Sequence, residues 1–114
     1  MQKISDIPIG IFDSGIGGLT VMKEIMDLLP HENIVYLGDT ARVPYGTRSP
    51  ETVIKYSIEN TRFLLSKNIK LLVVACNTSS SVSLDALKEQ FHIPVIGVVL
   101  PGARAAVSVS VGKK

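Results

Sequence analysis

Short apolar runs alternate with longer stretches of helical period along this chain, and that alternation constrains its fold more than any other feature. One run spans Pro8 to Phe12, the next centres on Ile34-Val35-Tyr36-Leu37 between Asn33 and Gly38, a third covers Lys70 to Ala75, and a fourth covers Pro94 to Val98. Runs this short, bounded by Gly, Pro and polar residues, read as buried strands. After the first, Met22, Ile25, Met26 and Leu29 share one helical face, and Pro30 ends it. After the second, Ser49-Pro50-Glu51 opens a helix, with a capping serine, a proline suited to the first turn and an acid favoured by the helix dipole. Its buried stripe should include Ile54, Ile58 and Leu65. A third helix is expected from about Ser79 to Phe91, with Leu84, Leu87 and Phe91 inward. Pro101-Gly102 starts a further helical segment, and Val107 to Val111, although it alternates with strand period, is read as its continuation.

Regular strand–helix alternation implies a parallel sheet with right-handed crossovers and helices on both faces; the expected fold is α/β, a three-layer sandwich with a parallel four-stranded sheet in flavodoxin-like strand order. Ligands in such sheets bind beyond the carboxyl ends of the strands. The unusual residues of this chain gather there. Asp13-Ser14-Gly15-Ile16-Gly17-Gly18 follows the first strand, Asp39 to Ser49 the second, Cys76-Asn77-Thr78 the third and Leu100-Pro101-Gly102 the fourth. Pro30-His31-Glu32 and His92, at the other edge, are ordinary connectors.

Composition narrows the classes of function. The chain has 114 residues, 46% hydrophobic and 19% charged, so it is one globular domain with a core. A net charge of +2, scattered along the chain, makes no basic stripe for nucleic acid. One cysteine forms no internal disulfide, and no Cys/His cluster suggests zinc. An acid and Pro8 precede the first apolar run, which is unlike a signal peptide, and no run is long enough to span a membrane. A cytoplasmic location is expected.

Cys76 carries the sharpest chemical signal. Free cysteine is often a buried core residue, but five polar residues follow this one at once. A free thiol has a pKa of about 8.5, and the amide hydrogens of a helix start favour its thiolate form. In flavodoxin-like order the first strand lies beside the third, which would bring Asp13 toward Cys76. That carboxylate opposes the thiolate but can accept the thiol's proton, which suits a proton-transfer residue. A cysteine hydrolase needs a histidine at the thiol, and His31 and His92 both precede strands, at the wrong edge. Gly15, Gly17 and Gly18 permit close approach of an anion to a helix start. They make neither a P-loop nor a clean dinucleotide fingerprint. The stretch from Asp39 to Ser49 is about eleven residues, against roughly two to six for an ordinary strand-to-helix connection, so it is expected to be functional. Within it Pro44-Tyr45-Gly46 can present backbone N–H groups and a ring to a ligand, and Arg42 and Arg48 could attract an anion.

Four segments, Gly10 to Thr20, Leu37 to Gly46, Val74 to Thr78 and Pro101 to Ala105, together resemble the glutamate racemases, cofactor-independent amino-acid racemases of bacterial cell-wall synthesis. The resemblance implies an isomerase that interconverts L- and D-glutamate. Cys76 would be one of two catalytic cysteines that remove and return the α-proton. Asp13 would act beside it and, with Ser14, lie in the substrate site. Pro44, Tyr45, Gly46, Asn77 and Thr78 would bind substrate. It further implies no pyridoxal phosphate, metal or nucleotide, a product that enters peptidoglycan and so supports cell-wall biogenesis and cell shape, and a homodimer in the full-length enzyme. Family members are about twice this long, with a second domain that supplies the second cysteine. Residues 1–114 are therefore expected to be the N-terminal catalytic domain of a two-domain enzyme, inactive alone. Ser79 and Leu100 depart from the common family pattern, in ways expected to be mild. A different reading is a non-catalytic nucleotide-binding module, with Asp39 in the place of a ribose-binding acid; a racemase-like scaffold without activity, or a relative acting on aspartate, are further ones.

Overall fold

The computed structural model describes residues 6–15, 18–42 and 44–97. Strand β1 (Ile9–Asp13) leads to helix α1 (Gly18–Leu28), then β2 (Ile34–Gly38). Two short 3₁₀ turns, Thr40–Arg42 and Tyr45–Thr47, precede α2 (Pro50–Leu65). Strand β3 (Leu71–Val74), helix α3 (Asn77–Gln90) and β4 (Val95–Gly97) complete the described chain. All strand pairs are parallel and the sheet order is β2-β1-β3-β4, the flavodoxin-like arrangement expected.

The period of two along a strand splits the core into two layers. Ile9, Ile11, Val73 and Ala75 face α1 and pack with Val21 and Ile25. Phe12, Leu72, Val74 and Val95 face α2 and α3 and pack with Leu64 and Leu87. No described helix is long and apolar enough to cross a membrane.

The helix faces depart from the hydropathy reading in instructive ways. Met26, expected inward, is 52% exposed, whereas Val21 is fully buried. Helix α1 carries two adjoining apolar stripes, and the one through Val21 and Ile25 meets the sheet. In α2, Ile54, Ile58 and Leu65 are only partly buried, and the deepest positions are Val53, Ser57, Asn60, Thr61 and Leu64. Polar residues occupy that face because they bond across it. Ser57 Oγ lies 2.7 Å from the Val53 carbonyl and 3.0 Å from Ser83 Oγ, and it also bonds Ser79 Oγ. Small hydroxyls let α2 and α3 approach closely while satisfying one another. The start of α2 is as read: Ser49 Oγ accepts from Thr52 N at 3.2 Å, with Pro50 in the first turn. The expected segments at Gly17, at Leu100 and from Pro101 to Val111 lie outside the described residues.

Candidate functional site

The carboxyl ends of β1, β2 and β3 bring three loops side by side. The Ala75 amide donates to the Phe12 carbonyl at 2.8 Å, and the Asp39 amide to the Asp13 carbonyl at 3.0 Å. The backbone bonds of the sheet thus continue to the last strand residue and place Asp13 between Asp39 and the Ala75-Cys76 step.

Asp13 and Ser14 are both buried, at 0% and 7% exposure. Asp13 Oδ1 accepts from the Gly15 amide and from the Tyr36 hydroxyl, each at 2.9 Å. The first of these closes a tight side-chain turn that needs Gly15 at φ 96°. An added Cβ there would also lie 2.8 Å from Thr40 Cγ2, so the glycine lets the loop after β1 press against the loop after β2. Asp13 Oδ2 is buried and has no hydrogen-bond partner among the described residues. Burial, then the hydrogen bond to Asp13 and the charge of that carboxylate, pushes the Tyr36 phenol well above its ordinary pKa, so it remains a donor.

Cys76 is the N-cap of α3 in extended backbone, φ −114° and ψ 124°, and the Ser80 amide donates to its carbonyl at 2.8 Å. The helix therefore begins at Asn77, earlier than the expected Ser79, which makes Asn77 and Thr78 first-turn residues. The polar run after the thiol does not signal exposure: Ser79 and Ser80 are buried, and Cys76 itself is 6% exposed. The thiol packs in a small cluster with Tyr45 and Val53, flanked by Tyr56 and Val82. Asn77 is exposed and Thr78 half-buried.

The Asp39–Ser49 segment corrects two expectations. Tyr45 does not present its ring to a ligand; it is 1% exposed. Its phenol donates to Asp39 Oδ2 and accepts from Asn60 Nδ2 at 2.9 Å. Arg42 donates to Asp39 Oδ2 at 2.9 Å and to Asn60 Oδ1 at 3.3 Å, pairs with Glu59, and lies 4.0 Å over the Tyr56 ring. Arg42 is thus spent within the protein and is not free to attract an anion. Burial raises the Asp39 carboxyl, but hydrogen bonds from Tyr45, Arg42 and Asn60 and the Arg42 charge outweigh it and hold the group below its ordinary value. Burial and the bond to Asp39 raise the Tyr45 phenol. Asp39 is fully occupied by these partners, which counts against a ribose-binding role. Pro44 and Gly46, on either side of the buried Tyr45, are exposed, as are Thr40, Ala41 and residues 47–49. The position a Gly46 Cβ would take is 3.8 Å from Thr78 Oγ1, an ordinary contact, so this turn stands beside the start of α3 with room for a methyl group between them.

The structure thus groups Asp13, Ser14 and Gly15 with the Pro44–Gly46 turn and Cys76-Asn77-Thr78 at one sheet edge. His31 and His92 are exposed, each ahead of a strand at the opposite edge. No described cluster of three or more His, Cys, Asp or Glu could hold a metal ion. Sequence reasoning missed Tyr36, Asn60 and the role of Asp39. Their partners are distant in sequence, so only the strand register and the α2 face bring them in.

No family model matches the chain. Over 102 residues, 90% of this chain and 38% of the relative, it is 63% identical to a glutamate racemase of Geobacter metallireducens. The glutamate racemase structure from Thermus thermophilus, in complex with β-chloro-D-alanine, superposes with a TM-score of 0.81 at 51% identity, covering 92% of this chain and 41% of that one. The glutamate racemase structure from Francisella tularensis, in complex with D-glutamate, gives 0.77 at 36% identity, covering 96% and 49%. The chain spans about 40% of the length of the curated relatives it matches.

Proposed function

This chain is homologous to the glutamate racemases over nearly its whole length, and on that premise we propose that it is the N-terminal catalytic domain of a two-domain enzyme interconverting L- and D-glutamate. The observation that carries the reading is Cys76, the sole cysteine, at the N-cap of α3 and one strand from the buried carboxylate of Asp13. Cys76 thiolate takes the α-proton from one face of the substrate, leaving the electron pair on the α-carbon. A second acid delivers a proton to the opposite face, and the roles reverse in the other direction. One thiol cannot reach both faces of a fixed substrate, so the second cysteine comes from the second domain. Asn77 and Thr78 offer side chains and first-turn amides to a carboxylate. Ser14 and the backbone of Pro44, Tyr45 and Gly46 complete the substrate contacts, and Asp13 acts beside the thiol. The reading extends to D-glutamate supply for peptidoglycan in the cytoplasm, by a homodimer of the complete enzyme.

The test begins by reading the gene past the Lys114 codon for a second α/β half with its own cysteine. The polypeptide as its own gene encodes it is then assayed by circular dichroism with D-glutamate, and for exchange of the α-proton in D₂O. Racemisation that Cys76→Ala abolishes, with the fold intact, is the expected result. A folded gene product that neither racemises nor exchanges the α-proton of glutamate overturns the proposal.

A further inference from the structure

We propose that Tyr36 and Gly38, neighbours on β2, form a seat that fixes the carboxylate of Asp13, and that Tyr36 is a positioning residue for the proton-transfer site. The inference rests on the racemase reading for its function but on the sheet register for its geometry. In the parallel pairing of β1 and β2, Ile11 is opposite Tyr36 and Asp13 opposite Gly38. The Tyr36 side chain leans forward along the strand and brings its hydroxyl to Asp13 Oδ1 at 2.9 Å. The space in which they meet lies over Gly38. A Cβ there would be 3.1 Å from the Tyr36 hydroxyl and 3.4 Å from Asp13 Oδ1, so a side chain would have to push the pair apart.

Two donors, the Tyr36 hydroxyl and the Gly15 amide, converge on the same oxygen. Holding one oxygen from two directions sets the plane of the carboxylate and leaves Oδ2 as its unused acceptor. That atom is buried and without a partner among the described residues. An unpaired buried carboxylate oxygen is costly unless something else supplies a donor, and on the racemase reading that donor belongs to the proton-transfer site beside it. Tyr36 cannot take over the proton transfer, because its phenol is held protonated far above neutral pH. Its part is to aim Asp13.

The experiment uses the polypeptide as its own gene encodes it. Tyr36→Phe removes the donor and keeps the ring. We expect kcat to fall about tenfold or more while KM changes less than about twofold, since orientation matters most in the transition state. In an Asp13→Asn background the same change should have almost no further effect on kcat. Gly38→Ala should reproduce the Tyr36→Phe loss. The inference is overturned if Tyr36→Phe keeps kcat within about twofold, or if its loss multiplies in full with that of Asp13→Asn. A separate arm measures urea unfolding of the 114-residue chain with both single substitutions and the pair. Non-additive midpoints support the seat even where racemisation is absent and the functional reading fails; additive ones remove the contact itself.

Discussion

Asn60 on α2 donates to the phenol oxygen of Tyr45 at 2.9 Å, joining a helix on one face of the sheet to the loop beyond β2. The same amide donates to Asp39 Oδ2 at 3.3 Å, and its own carbonyl accepts from Arg42. Each polar group in this buried set has a partner, so the network holds the long loop without leaving an unpaired charge. Because the Tyr45 ring packs with Cys76, the network also shapes the wall against the thiol.

Loss of one member should therefore cost more than an exposed hydrogen bond would. Tyr45→Phe deprives Asp39 of a donor and Asn60 of an acceptor while keeping the packing. We expect a loss of about 1–3 kcal/mol in urea unfolding. Asn60→Ala should cost a similar amount, and the double variant less than the sum, because the two report the same network. Additive losses would show that the hydrogen bond contributes nothing of its own.

The network also predicts an acid limb. The folded Asp39 carboxyl titrates below its ordinary range, whereas in the unfolded chain it titrates near about 3.9. Between those values the unfolded state binds more protons, so stability falls as pH falls. The contribution is present in full above about pH 5 and is lost progressively below about pH 4. Urea unfolding midpoints for the wild type and Asp39→Asn should converge as the pH drops through that window. A difference that stays constant from pH 6 to acid would exclude Asp39 as its source.

How much of this could be read from sequence depends on the range of the interactions. The strands were legible because burial on both faces leaves unbroken apolar runs, and Ser49-Pro50 marked α2 because capping is local. Alternation implied a parallel sheet, and the flavodoxin-like order expected for it is the one the strands adopt. Local patterns do not record which polar residues face inward, and that is where the reading failed. Tyr45 resembles a displayed aromatic until Asp39 and Asn60 are seen around its hydroxyl. Ser57, Ser79 and Ser83 resemble a solvated face until α2 and α3 meet. The grouping of Asp13 with Cys76 was inferable from topology, but the orientation of Asp13 required the position of Tyr36 on the neighbouring strand.

The serine cluster offers a second stability test. Ser57 is fully buried and bonds three oxygens. Ser57→Val inserts branched carbon into that space and strands two hydroxyls, so it should destabilise by about 1–3 kcal/mol or more. Ser57→Ala avoids the crowding and should cost less. Equal effects from the two, measured by urea unfolding, would mean that packing there is loose.

Gly15 and Gly46 both border the site, yet substitution at each should act differently. Gly15 has φ 96° and its Cβ position is 2.8 Å from Thr40 Cγ2. Gly15→Ala is strained in backbone and in space, and should destabilise by about 1–3 kcal/mol. Gly46 has only an ordinary contact, 3.8 Å from Thr78 Oγ1. Gly46→Ala should leave stability within about 0.5 kcal/mol. Its methyl group would project into the gap between the Tyr45–Thr47 turn and the start of α3, where the racemase reading puts the substrate. In the gene product as encoded, KM for glutamate should rise severalfold with the unfolding midpoint unchanged. An unchanged KM would move the substrate away from the Gly46–Thr78 gap, and a lowered midpoint would mean that the gap is filled by the protein itself.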